Sequence, residues 1–211
     1  MVKKSSAQRL GRRPRGRPRG YDPDQALARV TAAFWDAGYS GASLEDLTDV
    51  AGMNKPSLYG AFGNKHALYM TTLEQYRAMG REAMREALSY DLPLAEALRR
   101  VYAKAIEIYT SGDNGARGCF LIGTAATESV LDPKIRRTFA DGLHELDDQL
   151  EARFRHAQEA GELKSALDAG NLARVACGIM NSLALRARAG DSRKVLEATA
   201  EAGVRLLCGL G

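Results

Sequence analysis

Residues 43–68 read SLEDLTDVAGMNKPSLYGAFGNKHAL, and two short helices follow from this stretch alone. Ser43 is followed three residues on by Asp46, an Asp variant of the capping box, and Leu44, Leu47, Val50 and Ala51 recur at helical spacing up to Gly52. Beyond Met53, Asn54 caps a second helix with Pro56 in its first turn, Leu58, Ala61 and Phe62 facing inward and Gly63 as its stop. Two helices joined across a glycine, the second polar on its outer side, have the form of a helix-turn-helix, but a generic helical hairpin meets the same spacing.

Upstream, Asp22 and Pro23 open a supporting helix with Ala26, Leu27, Val30, Ala33, Phe34 and Ala37 on one face and Gly38 as its stop. Phe34, Leu47, Val50, Leu58 and Phe62 then form a small core, leaving Asn54, Lys55, Ser57, Tyr59 and Gly60 to face outward. Downstream, Asn64 caps a longer helix from Lys65 to about Ser89, with Leu68, Tyr69, Thr72, Leu73, Tyr76, Met79, Ala83 and Ala87 as its buried stripe. Apolar residues at threes and fours predict further helices at about 93–110, 118–130, 133–160, 168–189 and 192–209, and nothing alternates with period two. The fold class predicted is all-α.

Charge divides this chain of 211 residues unevenly. Eight of its 30 basic groups lie in residues 1–20, where there is no acid, leaving 22 against all 26 acidic groups in the remainder, a net charge of −4. Residues 1–20 have few large apolar side chains, so composition predicts a mobile basic arm suited to a polyanion. Residues 21–68 are themselves acidic, with Arg29, Lys55 and Lys65 against six carboxylates. Phosphate affinity there must come from placed groups and from the arm, not from a general positive field. The arm's Arg15, Arg17 and Arg19, in RGRPRG at 15–20, look like the core of an AT-hook, which suits an A·T-rich minor groove.

No apolar run reaches the length of a membrane span, and Arg, Gly and Pro stand where an export signal needs an apolar region. Three scattered cysteines exclude a disulfide framework and closely spaced zinc patterns. A cytoplasmic protein without a membrane partner is expected.

The run from Ser43 to Leu68 closely resembles the DNA-binding segment of TetR-family transcriptional regulators, and the helical layout agrees over nearly the whole chain. The resemblance implies a homodimer with a DNA-binding head at 21–68, after the arm 1–20, and a ligand-binding and dimerisation domain at 69–211. Its DNA partner is a double-stranded palindromic operator, from which a small-molecule effector releases the protein as a repressor. Tyr59 and Lys65 match family positions that touch phosphate, and Ser43 matches the hydroxyl residue that opens helix two. Gly60 and Ala61 depart from the polar and aromatic pair of many members, which leaves base reading to Asn54, Lys55 and Ser57 with Tyr59 as an addition. The family also pairs its last two helices with those of a second subunit, here about 168–209.

In the larger domain Tyr102, Ile106, Tyr109, Phe120, Thr124 and Phe139 combine aromatic and apolar surface with few polar groups, as a ligand pocket does, although each also suits plain core. Cys119 follows Arg117 and Gly118 at a helix start, where a cation and the helix N-terminus favour thiolate, and its surroundings resemble those of thiol-sensing TetR-family members. A redox- or electrophile-sensing repressor is thus one alternative and an architectural DNA-binding protein another. His144 with Asp147 and Asp148 lacks the further His or Cys of a metal site, so no metal is expected. No cofactor and no enzyme activity are expected either, since nucleophile-elbow and phosphate-loop motifs are missing.

Overall fold

The computed structural model describes residues 22–112, 115–164 and 166–210. Arg15, Arg17 and Arg19 lie outside the described residues. Among the described residues all regular structure is helical: α1 (Pro23–Gly41), α2 (Leu44–Ala51), α3 (Lys55–Phe62), α4 (Lys65–Ala87) and α5 (Leu94–Tyr109). The π-helical turn Leu121–Ala125 runs into the single turn Ala126–Glu128, together α6, and α7 (Pro133–Glu159), α8 (Ala169–Arg188) and α9 (Arg193–Cys208) follow. None of these helices is long and apolar enough to cross a membrane.

Helix starts are chemically marked. Ser43 and Asp46 form the reciprocal capping box of α2, while Asn54 and Asn64 accept from Ser57 N and Ala67 N at 2.9 and 2.8 Å. Asp132 and Asp168 cap α7 and α8 in the same way. Gly52, at φ 63°, closes α2 in the left-handed region and turns the chain into α3.

Three expectations change. The helical run of α1 extends to Gly41 with a kink at Gly38 (φ 76°, ψ 171°), so that Tyr39 folds back onto Phe34 and Tyr69. The segment expected as a helix at 118–130 begins later, because Gly118 takes φ 69° and packs where a Cβ would stand 2.5 Å from the Ala184 carbonyl oxygen. Met79 and Val50, placed inward by periodicity, are exposed, whereas Met84 is buried.

Two apolar clusters result. One gathers Val30, Phe34, Leu47 and Leu58 under the first three helices; the other packs Leu98, Tyr102, Phe154, Ala176 and Leu196 between α5, α7, α8 and α9. Small residues bring α8 and α9 close, and a Cβ on Gly203 would meet Ile179 at 2.8 Å. Leu172, Ala176, Leu183, Leu196 and Leu207 face this core, whereas Val175, Leu185, Val195 and Leu206 are exposed.

Helix α4 belongs to both clusters. Its Leu68, Tyr69 and Leu73 join the first, with Phe120, Leu121, Ala125 and Ile135 from later in the chain, and its Met84 and Ala87 join the second. At the junction the Tyr69 hydroxyl lies 2.7 Å from Thr124 Oγ1, which gives its own hydrogen to the Phe120 carbonyl at 2.8 Å. The phenol is therefore the donor, and burial pushes it up to about 12.

Tyr69→Phe should lower the unfolding free energy by about 1 kcal/mol in urea titrations near neutral pH, one net buried hydrogen bond. The raised phenol fixes the pH dependence. The contribution is complete below the ordinary tyrosine value of 10.0 and is lost as pH rises through about 12, so the stability gap between wild type and variant should close over that window.

Candidate nucleic-acid interface and ligand cavity

The outer side of α3 is built on Leu58, which is fully buried and fixes the helix on α2 and α4. Asn54, Lys55 and Ser57 then stand exposed on its first turn. Asn54 Oδ1 is engaged with Ser57 N, which leaves the amide Nδ2 as its outward donor. Tyr59 is half-buried with Lys55 Nζ 5.8 Å from its ring centre, and Gly60 beside it is exposed.

Ser43 and Lys65 flank this surface at the starts of α2 and α4. The Ser43 hydroxyl donates to Asp46 Oδ2 at 2.6 Å, and these bonds hold the Asp46 carboxyl below its ordinary range. A phosphate at this helix start would have to draw the hydroxyl away from that carboxylate. Lys65 Nζ lies 4.7 Å from the ring centre of Tyr39. Tyr39 is a residue that the sequence reading did not single out; only the kink at Gly38 brings it here, and burial is the main reason its phenol is held protonated above the ordinary range. Thus α2, α3 and the first turn of α4 together present hydroxyl, amide and ammonium donors on an otherwise acidic head.

A half-open cavity of about 100 Å³ lies on the far side of α4, between α4, α5, α7 and α8. Its wall is largely apolar, with Met84, Ile108 and Leu146 among its members, and Arg77, Arg81, Lys104 and Glu145 supply charge. Of the six residues expected to line a ligand pocket, Tyr109 lines this cavity, while Tyr102 and Ile106 border a separate groove between α5 and α9. Tyr102 and Ile106 point into the α8–α9 core, where the Tyr102 hydroxyl donates to the Ala176 carbonyl at 3.2 Å. Phe120 and Thr124 belong to the junction with the head, and Phe139 packs against it. Aromatic composition marked these segments, but periodicity within one helix does not say which neighbour covers which face. Tyr76 and Arg77, on α4, were missed as pocket residues for the same reason.

Cys119 is on the cavity wall and accepts a hydrogen bond from the Tyr76 hydroxyl at 3.4 Å. The expectation that Arg117 favours its thiolate needs correction, because Arg117 Nε is 2.9 Å from Asp36 and its guanidinium stacks by Trp35. Burial pushes the thiol up, and this outweighs the opposing pull of the Ile122 and Leu121 backbone and the Tyr76 and Tyr109 hydroxyls. Among the described residues no group of three His, Cys, Asp or Glu side chains is placed to hold a metal.

An exposed donor-lined helix across a tight turn, carried by a helical body with its own cavity, defines a helix-turn-helix DNA-binding regulator. Comparison with known proteins agrees. Residues 27–70 match the family described as bacterial regulatory proteins, tetR family, and residues 95–202 match the tetracyclin repressor-like C-terminal domain. The chain is 31% identical to the HTH-type transcriptional repressor ComR of Escherichia coli (strain K12) over 199 residues, 92% of this chain and 93% of that one. It is also 31% identical to the repressor BdcR of the same organism, covering 88% of each. Its fold matches that of a cysteine mutant of the TetR-family regulator CifR in complex with 26-bp double-strand operator DNA, with a TM-score of 0.76, 31% identity and coverage of 90% of this chain and 98% of that one. The chain belongs to the TetR family of transcriptional regulators.

The geometry of Cys119 sets its reactivity. Alkylation by iodoacetamide in the folded protein should stay slow through neutral pH, with a half-maximal rate above the ordinary cysteine value of 9.0; acid-quenched rates from pH 6 to 11, read at Cys119 by mass spectrometry, check this.

Proposed function

We propose that this protein is a cytoplasmic, dimeric repressor that reads a palindromic operator with α3 and releases it when a small molecule occupies the cavity behind α4. The reading divides the chain into a DNA-contacting arm at 1–20, a head at 21–68 and a ligand-binding and dimerisation domain at 69–211. The observation that carries it is the continuity of α4: one helix of 23 residues bears Lys65 at the DNA-facing end and Tyr76, Arg77 and Met84 on the cavity wall. A ligand that favours one setting of α4 thereby favours one spacing of the two heads. Catalysis has no part in this reading.

Dimerisation through about 168–209 is supported by the exposed side of α8 and α9. Val175 and Leu185 flank Gly178, which has open space around its Cα, and Leu206 on α9 is 82% exposed. Such a face allows close helix approach and gains apolar burial when a copy covers it. Contact assignments follow the placement of the donors: Asn54, Lys55 and Ser57 read bases with Tyr59, while Lys65, Ser43 and again Tyr59 hold phosphate, and Arg15, Arg17 and Arg19 enter the minor groove beside the half-sites.

A second reading, release by modification of Cys119, has one observation in its favour. The thiol lies on the wall of the same cavity, so an adduct on sulfur occupies the space a ligand would fill.

Competition binding on operator and random duplexes tests the DNA assignment. Lys65→Ala should weaken both alike and reduce the salt slope by about one unit, whereas Lys55→Ala should narrow the gap between them, by about tenfold for one lost base contact. Equal specificity ratios in the two variants would sink the α3 assignment.

Removing residues 1–20 should lower affinity and salt dependence together while sedimentation still shows a dimer. Exchanging A·T for G·C beside the half-sites should then weaken the full-length protein more than the truncated one.

A further inference from the structure

The head carries more carboxylates than cations, but cations of the body stand close to its DNA-facing edge. Helices α4 and α7 run side by side in the same direction. At their starts His66 Nε2 lies 2.8 Å from Asp132 Oδ2; further along, Thr138 donates to Glu74 at 3.4 Å, and then Arg77 meets Glu145 at 2.7 Å. Both helices therefore begin at the end of the molecule where Lys65 opens α4. The turn before α7 is fastened there as well, since Ser40 donates to Glu128 at 2.7 Å. Tyr39, with Lys65 Nζ 4.7 Å from its ring centre, has its phenol raised by burial first and then by the Glu128 and Asp132 carboxylates. Lys65 and the start of α7 thus share one tyrosine as neighbour.

This start of α7 is basic. Residues 133–138 read PKIRRT, with Ile135 and Thr138 buried and Lys134, Arg136 and Arg137 exposed. Arg136 donates through Nε and Nη2 to the Ser129 and Val130 carbonyl oxygens at 2.8 and 2.9 Å, which holds the turn but leaves the charge without a counter-charge. Among the described residues the side chains of Lys134 and Arg137 make no ion pair or hydrogen bond, even with Asp141 one turn on. The carboxylates of the preceding turn are engaged, Glu128 by Ser40 and Asp132 by His66 and the backbone N–H groups of Lys134 and Ile135. Lys134, Thr138 and Glu145 recur at i, i+4 and i+11, so Lys134 lies on the side of α7 that borders α4, and Arg137 follows it at i+3.

We propose that the start of α7 is a second phosphate-binding surface, on which Lys134 and Arg137 of the body hold the DNA backbone beside the phosphate held by Lys65. Exposed cations without an internal partner suit a polyanion, because they give up no ion pair and gain the full release of its counterions. They fix the duplex in place and read no bases. The proposal rests on the reading of α3 and Lys65 as the DNA-facing side and adds to it a contribution from outside the head. Helix α7 also lines the cavity with Glu145 and Leu146, so the helix that a ligand meets is the one that carries these contacts.

Fluorescence anisotropy over a range of salt concentrations tests this with the full-length protein, on a duplex that it selects from a random-sequence pool and on an unselected duplex of equal length. Lys134→Gln combined with Arg137→Gln should weaken both duplexes alike, by about tenfold or more at low salt, and reduce the salt slope about twice as much as Lys65→Ala does. Lys134→Arg combined with Arg137→Lys keeps both charges and should retain the wild-type slope. Arg155→Gln combined with Lys164→Gln removes the same charge at the far end of α7 and should also leave the slope unchanged. All these side chains are exposed, so the variants should remain folded dimers in sedimentation. A wild-type slope in the Lys134 and Arg137 double-Gln variant overturns the proposal. So does an equal loss in the far-end variant, which would mean a general field and no contact.

The same titrations tell the two readings apart. If Lys55→Ala and Lys65→Ala leave binding unaltered while the double-Gln variant at Lys134 and Arg137 weakens it, the α3 reading fails and the basic start of α7 stands as a DNA contact in its own right. If Lys65→Ala lowers the slope and that double-Gln variant does not, the α7 surface fails and the α3 reading stands.

Discussion

The apolar packing that joins head to body centres on one aromatic seam. Tyr69 on α4 meets Phe34 of the head at 5.1 Å and Phe120 of the body at 6.0 Å, edge to face in both cases. Trp35 and Tyr76 extend the seam, each within 5.6 Å of Phe120, and the buried Tyr69–Thr124 hydrogen bond fastens α6 to it. Each such ring pair contributes about 0.5–1.5 kcal/mol beyond its area of burial. Close packing also means that rings in this arrangement cannot yield gradually. Helix α4 moves with its neighbours or exchanges one packing for another, which is the property a two-state regulator requires.

Around the seam lies a polar rim of a different kind. Ser40 donates to Glu128 at 2.7 Å, His66 lies 2.8 Å from Asp132, and Arg117 lies 2.9 Å from Asp36. These groups are partly exposed, and pairs of this sort contribute about 0–1 kcal/mol each. The seam therefore supplies the cohesion between head and body, and the rim selects their orientation. A weak oriented rim over a rigid apolar joint lets a modest ligand free energy shift the head, because the bonds to be exchanged are individually small.

The DNA-facing side and the cavity use charge in opposite ways. The head is acidic overall, so its few cations act by position; Lys65 rests over Tyr39 and Lys55 stands near Tyr59, where an aromatic face holds an ammonium group without neutralising it. Such cations stay available to phosphate or to a base edge. In the cavity each of the three cations on the wall is paired with a carboxylate of the protein.

Much of the fold was legible in the sequence because its determinants are local. A capping hydroxyl or carboxylate, a proline in a first turn and a glycine past a last turn act within a few residues, and they placed the helices of the head and the long α4, α7, α8 and α9 close to where they stand. The donors of α3 were legible for the same reason: a short amphipathic helix anchored by Leu58 has only one side left to expose. Burial on the longer helices was not local. Met79 and Val50 sit at apolar spacing yet are exposed, because spacing describes a helix face and not what arrives to cover it. Tyr39 reached Lys65 only through the kink at Gly38, and Cys119 lost its expected cation to Asp36, 83 positions before it in the chain. Arg77 carries no mark of burial in its local sequence. It became a buried donor because α7 approaches closely at Gly142, where a Cβ would meet the Arg77 stem at 3.5 Å, and brings Glu145 within reach. The sequence by itself determined which helices form and which short helix turns its polar side outward, since those depend on neighbours along the chain. Tertiary structure alone decided which side chains enclose the cavity and how their charges pair, since these depend on which helices pack together.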